Sequence, residues 1–324
     1  MSKRTNVARL VTPETTSLAA KDFLSVLDIS HDELDRVLEL AASLKADRHA
    51  GRAGDRPLAG RHVALLFEKP SLRTRSTFSI AVRELGGDVI EPDAGVALGS
   101  RETVEDVARN LERWVHGCVV RTFAQARLAR FAAAAPSLRV INALTDEEHP
   151  CQALADMQTL VERWGDVAGR TLTFVGDGNN VAASLAQAGA MLGLHVIVAS
   201  PRGFELPEAV AHAAGAVTRF GGTVTVVNDP IAAVRRADAV YTDVWASMGQ
   251  EDQADSRETI FAPYQVNEAL MAAARPGALF MHCLPAHRGH EVTDAVMDSP
   301  VSVVFDQSEN RLHAQKALLA MLMG

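Results

Sequence analysis

Phe67-Glu-Lys-Pro-Ser-Leu-Arg-Thr-Arg75 is the first stretch of this chain with side chains that could do chemistry. An apolar run ends there, Pro70 and Ser71 turn the chain, and Phe78, Val82 and Leu85 mark the inner face of a following helix. Ser71 is a good N-cap. A helix start offers free backbone N–H groups and the positive end of the macrodipole, both of which attract anions. Arg73 and Arg75 add forked donors that match phosphate or carboxylate oxygens. They lie about 200° apart around a helix, so one of them faces a ligand. Arg121-Thr122 closes the apolar run Cys118–Phe123, and strand ends are where open α/β sheets bind ligands. In His149-Pro-Cys-Gln152 a neutral imidazole can donate to a carbonyl oxygen and the glutamine can hold the amide side of the same group.

Three later stretches also follow apolar runs. Gly176-Asp-Gly-Asn-Asn180 begins like a dinucleotide fingerprint but does not complete G-x-G-x-x-G, so a nicotinamide site is weakly supported. Asn180 still offers a donor and an acceptor to a small ligand. Asp243-Val-Trp-Ala-Ser-Met-Gly249 places an acid that can hold an ammonium group before a small loop able to close. His282-Cys-Leu-Pro-Ala-His-Arg-Gly-His290 is rich in Cys and His, but its spacing matches no usual zinc pattern and no metal is expected. Read singly, each has a plainer reading as a cap, a strand terminus or a solvated arginine.

The elements that must position these groups are strands and helices in alternation. Apolar runs stand at His62–Phe67, Cys118–Phe123, Arg139–Leu144, Thr171–Gly176, His195–Ser200, Thr223–Val227, Ala239–Trp245, Ala278–Leu284 and Ser302–Phe305, with helical periodicity between them. That pattern means βαβ units. The fold class expected is α/β, with two doubly wound parallel-sheet domains joined by interdomain helices. The first domain is expected over residues 1–148 and the second over 149–309. One bridging helix opens at Pro150, with Leu154, Met157, Val161 and Trp164 as its stripe. A closing helix, about Asn310–Leu322 within residues 310–324, packs back on the first domain.

Charge and composition exclude other classes. The formal net charge of −8 argues against nucleic acid as a partner. No run of about 18 apolar residues suggests a membrane span. Cys118, Cys151 and Cys283 are too few and odd in number for a disulfide framework. Lys3, Arg4 and Arg9 precede no apolar stretch, so a secretory signal is not expected and a cytoplasmic location is.

Together and in order, these stretches resemble the aspartate/ornithine carbamoyltransferase family, on its ornithine-using side, over about residues 20–324. Ser71–Arg75 resembles the family's phosphate loop, usually Ser-Thr-Arg-Thr-Arg. His-Pro-Cys-Gln, Asp-Val-Trp-Ala-Ser-Met-Gly, His-Cys-Leu-Pro and Glu309-Asn-Arg-Leu-His-Ala-Gln-Lys316 resemble its other signatures. The resemblance implies transfer of a carbamoyl group from carbamoyl phosphate to L-ornithine, giving L-citrulline and phosphate. It implies no metal and no organic cofactor, and a homotrimer or an assembly of trimers with active sites near subunit interfaces. A sister enzyme acting on another amine is the alternative. Carried over, carbamoyl phosphate meets Ser71, Leu72, Arg73, Thr74, Arg121, His149, Gln152, Cys283, Leu284 and Arg311. Ornithine meets Asn180, Asp243, Ser247 and Met248. Arg121, His149, Asp243 and Cys283 are the implied catalytic groups. Two positions depart from the pattern: Leu72 stands where Thr is usual, and Val96-Ala-Leu-Gly99 puts Ala97 where the family's Gln reaches the ligand of a neighbouring subunit.

Overall fold

The computed structural model describes residues 17–52, 54–93, 98, 101–246 and 254–324. Nine strands are β1 His62–Phe67, β2 Asp88–Ile90, β3 Gly117–Arg121, β4 Arg139–Leu144, β5 Thr171–Val175, β6 His195–Ala199, β7 Thr223–Val227, β8 Ala239–Thr242 and β9 Leu279–His282 among the described residues. The helices there are α1 His31–His49, α2 Leu72–Glu84, α3 Val104–Leu111, α4 Gln125–Ala134, α5 Pro150–Trp164, α6 Asn180–Met191, α7 Glu208–Ala216, α8 Pro230–Val234, α9 Ala254–Phe261, α10 Glu268–Ala273, α11 Asp294–Met297 and α12 Val304–Met323.

The strands form two wholly parallel sheets, ordered β2-β1-β3-β4 and β7-β6-β5-β8-β9. β3 and β5 are buried at every residue. That explains their unbroken apolar runs, since parallel strands covered by helices on both faces have no solvent side to alternate with. The outer face of the first sheet, with Ala64, Leu66 and Val120, is covered by α3 and α4. The outer face of the second, with Val175, Val240 and Phe280, is covered by α8, α10 and α11. The two inner faces share one core: Leu65, Val119 and Ile141 join Leu172, Phe174 and Val198 through Leu154 and Met157 of α5 and Leu318 and Leu319 of α12.

This shared core is where the bridging helix α5 lies. Its apolar stripe is there, yet every residue from Pro150 to Leu160 is buried. The helix lies between layers, packed by α1, α6 and α12. α12 also packs on α1 and α2.

One expected strand is absent, and one strand appears that carries no apolar run. Ser302–Phe305 is not a strand: only Ser302 bridges Phe280, and α12 starts at Val304. Its apolar residues Val303 and Val304 are buried as a helix entry, which periodicity over so short a run cannot distinguish from a strand. β2 was not expected. It is a three-residue edge strand with no buried residue, so it carries no apolar run.

Strand order fixes where ligands go. The order reverses between β1 and β3 in one sheet and between β5 and β8 in the other. Such switch points leave a crevice at the carboxyl ends of the strands. The ends of β1, β3, β5 and β8 carry Phe67, Arg121, Val175 and Thr242, so the stretches that follow them are brought to these crevices.

Candidate active site

A cavity of about 1040 Å³ lies at these strand ends, and both sheets contribute to its wall. The first sheet supplies Ser71, Leu72, Arg73 and Thr74 after β1, Arg121 at the tip of β3, and His149 just before α5. Ser71 caps α2, accepting a hydrogen bond from the Thr74 N–H at 3.3 Å, so the helix start opens onto the cavity as expected. Arg73 lines it, whereas Arg75 turns away to Glu91 at 3.5 Å and to the Phe67 ring. Arg311 of α12 completes this side.

Arg73, Arg121 and Arg311 make no ion pair with any described residue. Arg121 and Arg311 are 6% and 3% exposed, and each has a buried Nε with no hydrogen-bond partner. Burial, then Arg311 and Arg73, lower the Arg121 pKa to about 10, with Cys283 and Asp243 acting the other way. Burial also lowers Arg73 and Arg311. All three remain cations at neutral pH. Asp243 and Asp156 offset only part of this positive charge and neither forms an ion pair with it, so a dianion is the natural complement. His149 is held well below its ordinary 6.5 by burial, then by Arg311 and Arg121. It is a neutral imidazole whose Nδ1 has no partner, and its backbone N–H is fixed by Ser184 Oγ at 2.9 Å. A neutral ring beside guanidinium groups can hydrogen-bond a carbonyl oxygen without adding another charge to the pocket.

The second sheet supplies the opposite wall: Asp177, Asn179 and Asn180 after β5, Asp243 after β8, and Cys283 and Leu284 after β9. The Cys283 thiol donates to Asp243 Oδ1 at 2.9 Å, and Asn179 Nδ2 donates to Oδ2 at 2.8 Å. Burial, and then Asp243, pushes the Cys283 thiol well above its ordinary 9.0. It is therefore a hydrogen-bond donor, not a thiolate nucleophile. Asn180 lines the cavity and donates to the Thr145 carbonyl at 2.6 Å, tying the second sheet's loop to the first sheet's exit. Gly178 has no room for a side chain, since a Cβ there would lie 2.2 Å from the Leu206 nitrogen. The glycine of this loop therefore serves close backbone packing.

Gln152 lies behind the wall, 1% exposed. Its carbonyl accepts from Arg311 Nη1, while Arg311 Nη2 donates to Thr74. Gln152 Nε2 in turn donates to Asp156 at 2.8 Å. It aims an arginine instead of lining the space. Ser247 and Met248 lie outside the described residues, as does Ala97; Ala246, just before them, is on the wall.

Several wall or supporting residues escaped the sequence reading. Asn179, not Asn180, holds Asp243, and the Asn-Asn pair alone could not say which. Arg257 of α9 donates to Asp177 and to the Trp245 carbonyl, both at 2.6 Å. Asp156 also accepts from Gln307 and Tyr241 at 2.9 and 3.1 Å; nothing in its local pattern distinguishes it from a helix surface carboxylate. Asp243, His282 and Cys283 hold ligand-type atoms within 4.8 Å of one another. They make a poor metal site: His282 is engaged at Nδ1 by the Leu284 N–H and at Nε2 by Glu291, and the cysteine keeps its proton.

Comparison with known proteins bears on this geometry. Residues 21–162 match the model of the aspartate/ornithine carbamoyltransferase carbamoyl-P binding domain, and residues 168–322 match that of the Asp/Orn binding domain. An ornithine carbamoyltransferase of Parafrankia sp. is 54% identical over 310 residues, covering 94% of this chain and 97% of that protein. One from Symbiobacterium thermophilum is 51% identical, covering 95% and 100%. The solved structure of ornithine carbamoyltransferase from Pyrococcus furiosus superposes with a TM-score of 0.91 at 47% identity, covering 95% of this chain and 98% of that one. With both family models matched in order around one cavity, this chain belongs to the aspartate/ornithine carbamoyltransferase family.

Proposed function

We propose that the chain transfers the carbamoyl group of carbamoyl phosphate to the δ-amine of L-ornithine, releasing L-citrulline and phosphate. The observation that carries this reading is the set of three buried or half-buried arginines, none paired with a described carboxylate, around a neutral imidazole. Such a set fits a small molecule that is a phosphate dianion at one end and a carbonyl at the other. In this reading Arg73, Arg311 and the N-terminus of α2 hold the phosphate. Arg121 and His149 hydrogen-bond the carbonyl oxygen, where negative charge grows as the amine attacks.

Across the cavity, Asp243 and the Cys283 thiol orient the attacking nitrogen, with Ser247 and Met248 on the ornithine side. The nitrogen must be uncharged to attack. A bond forms from Nδ to the carbamoyl carbon, the bond from that carbon to the phosphate oxygen breaks, and the nitrogen's proton leaves with the phosphate. Holding both reactants at attack distance between two sheets supplies much of the acceleration.

The chain divides, in this reading, into a carbamoyl-phosphate domain over residues 1–148, with residues 310–324 packed on it, and an ornithine domain over 149–309. It works in the cytoplasm as a homotrimer or an assembly of trimers. Purified protein is expected to form citrulline from carbamoyl phosphate and ornithine, and to prefer ornithine over lysine, putrescine and acetylornithine at equal concentration. No citrulline at saturating substrates refutes the activity. Light scattering at the mass of a single 34.7 kDa chain refutes the assembly.

A further inference from the structure

Where α12 packs on α1 stands a cluster that the proposed chemistry does not use. His49 ends α1, while Glu309 and His313 sit four residues apart on α12 and so share one face. His49 Nε2 is 2.6 Å from Glu309 Oε1, and His313 Nε2 is 3.7 Å from the same oxygen. One ligand-type atom from each lies within 4.8 Å of the other two. The His313 side chain is completely buried, and neither of its ring nitrogens has a hydrogen-bond partner. Buried imidazoles idle at both nitrogens are uncommon and ask for an explanation.

We propose that His49 Nε2, Glu309 Oε1 and His313 Nε2 bind a divalent transition ion of the zinc type, with water completing the coordination. Two imidazoles and one carboxylate suit such an ion better than magnesium or calcium, which take oxygen ligands. Zinc bonds of about 2.0–2.1 Å place tetrahedral ligand atoms roughly 3.4 Å apart. The His49–Glu309 separation of 2.6 Å therefore has to open by less than about 1 Å, which the 56% exposed side chain of His49 permits. His313 needs no deprotonation: burial leads the effects that bring its pKa down to about 4, so it presents a neutral ring at pH 7.

The surrounding cations are balanced by other acids. Lys45 pairs with Glu162 at 2.9 Å, and Arg48 and Lys316 pair with Glu84 at 3.0 and 2.7 Å. Lys45 also lies 3.7 Å from Glu309, but at Oε2, leaving Oε1 directed at the two histidines. A bound ion would fasten α12 to α1 on the side of the helix away from Arg311.

The test uses chelator-treated full-length protein titrated with Co²⁺ and followed by visible absorption. One ion per chain is expected, with d–d bands and no thiolate charge-transfer band. His49→Ala, at an exposed position, and Glu309→Gln are each expected to weaken binding at least tenfold. Zn²⁺ is expected to raise the thermal midpoint of the wild type and not that of His49→Ala. The proposal is overturned by no binding, by binding that both variants retain unchanged, or by a thiolate band that puts the ion on a cysteine.

Discussion

Replacing Asp156 by Asn separates two things the buried carboxylate does. Asp156 is wholly buried and accepts three hydrogen bonds, from Gln152 Nε2 and Gln307 Nε2 at Oδ1 and from the Tyr241 hydroxyl at Oδ2. Burial outweighs those bonds and lifts its pKa from 3.8 to about 6. The folded protein thus holds this proton more tightly than the unfolded chain, so stability falls as pH rises from the unfolded value through the folded one. At about 1.36 kcal/mol per tenfold, the ionised carboxylate costs about 3 kcal/mol at pH 7.5 and roughly half of that at pH 5. Asparagine has the same shape. Its Oδ1 can accept both glutamine amides, and its Nδ2 can donate to the tyrosine oxygen. Asp156→Asn is therefore expected to be more stable than the wild type at pH 7.5, by up to about 3 kcal/mol, with the gap roughly halved at pH 5. Urea unfolding followed by circular dichroism at equal chain concentration measures it. The same change removes a charge that helps fix Gln152 and, through it, Arg311. The KM for carbamoyl phosphate is expected to rise about tenfold, the worth of a charged hydrogen bond, with the ornithine KM little changed. A stability gap independent of pH refutes the burial argument. An unchanged carbamoyl-phosphate KM refutes the link to Arg311.

Two further outcomes follow from the wall of the cavity. Arg121→Leu should lower kcat/KM by at least about 10²-fold, the usual cost of losing a donor at developing charge, without lowering the melting temperature, since the buried Arg121 forms no ion pair with a described residue and its Nε has no hydrogen-bond partner; a melted variant, or one with near-normal turnover, refutes this. Because burial and Asp243 push the Cys283 thiol well above 9.0, alkylation of Cys283 by iodoacetamide at pH 8 should be far slower than that of the same cysteine in urea, and equal rates by peptide mass spectrometry refute the protonated-thiol reading.

The legible part of this protein is what short-range chemistry controls. The buried strands β3 and β5 are readable because parallel strands between two helical layers must be apolar throughout. Ser71 is readable as a cap because its oxygen serves a backbone N–H three residues away. The same logic fails at Ser302–Phe305, where two buried valines serve a helix entry and no strand partner is visible from within the run. It fails again at β2, held by backbone bonds to β1 with no buried side chain to announce it. Within the site, Arg73 and Arg121 announce themselves at element ends, but Arg311 sits in the middle of α12. Only the resemblance of the Glu309–Lys316 run pointed to it, since its partners Gln152 and Thr74 are 159 and 237 residues away.

That distance explains why the chain is built with its last helix crossing back. In the proposed reading, a phosphate held only by the first sheet's loop and Arg121 would be free to move relative to an amine held by the second sheet. Arg311 is anchored from both directions: Thr74 in the first turn of α2 receives one nitrogen, and Gln152 of α5 receives the other. Behind Gln152, Asp156 gathers Tyr241 from β8 and Gln307 from α12, and Gln307 accepts the backbone N–H of His282, the residue before Cys283. One continuous path of hydrogen bonds therefore runs from the anion side of the cavity to the thiol side, through a carboxylate that burial disfavours. Packing alone would put an apolar residue at Asp156. A charge kept there at a cost of about 3 kcal/mol makes sense if what it secures is the relative placement of two half-sites on two different sheets.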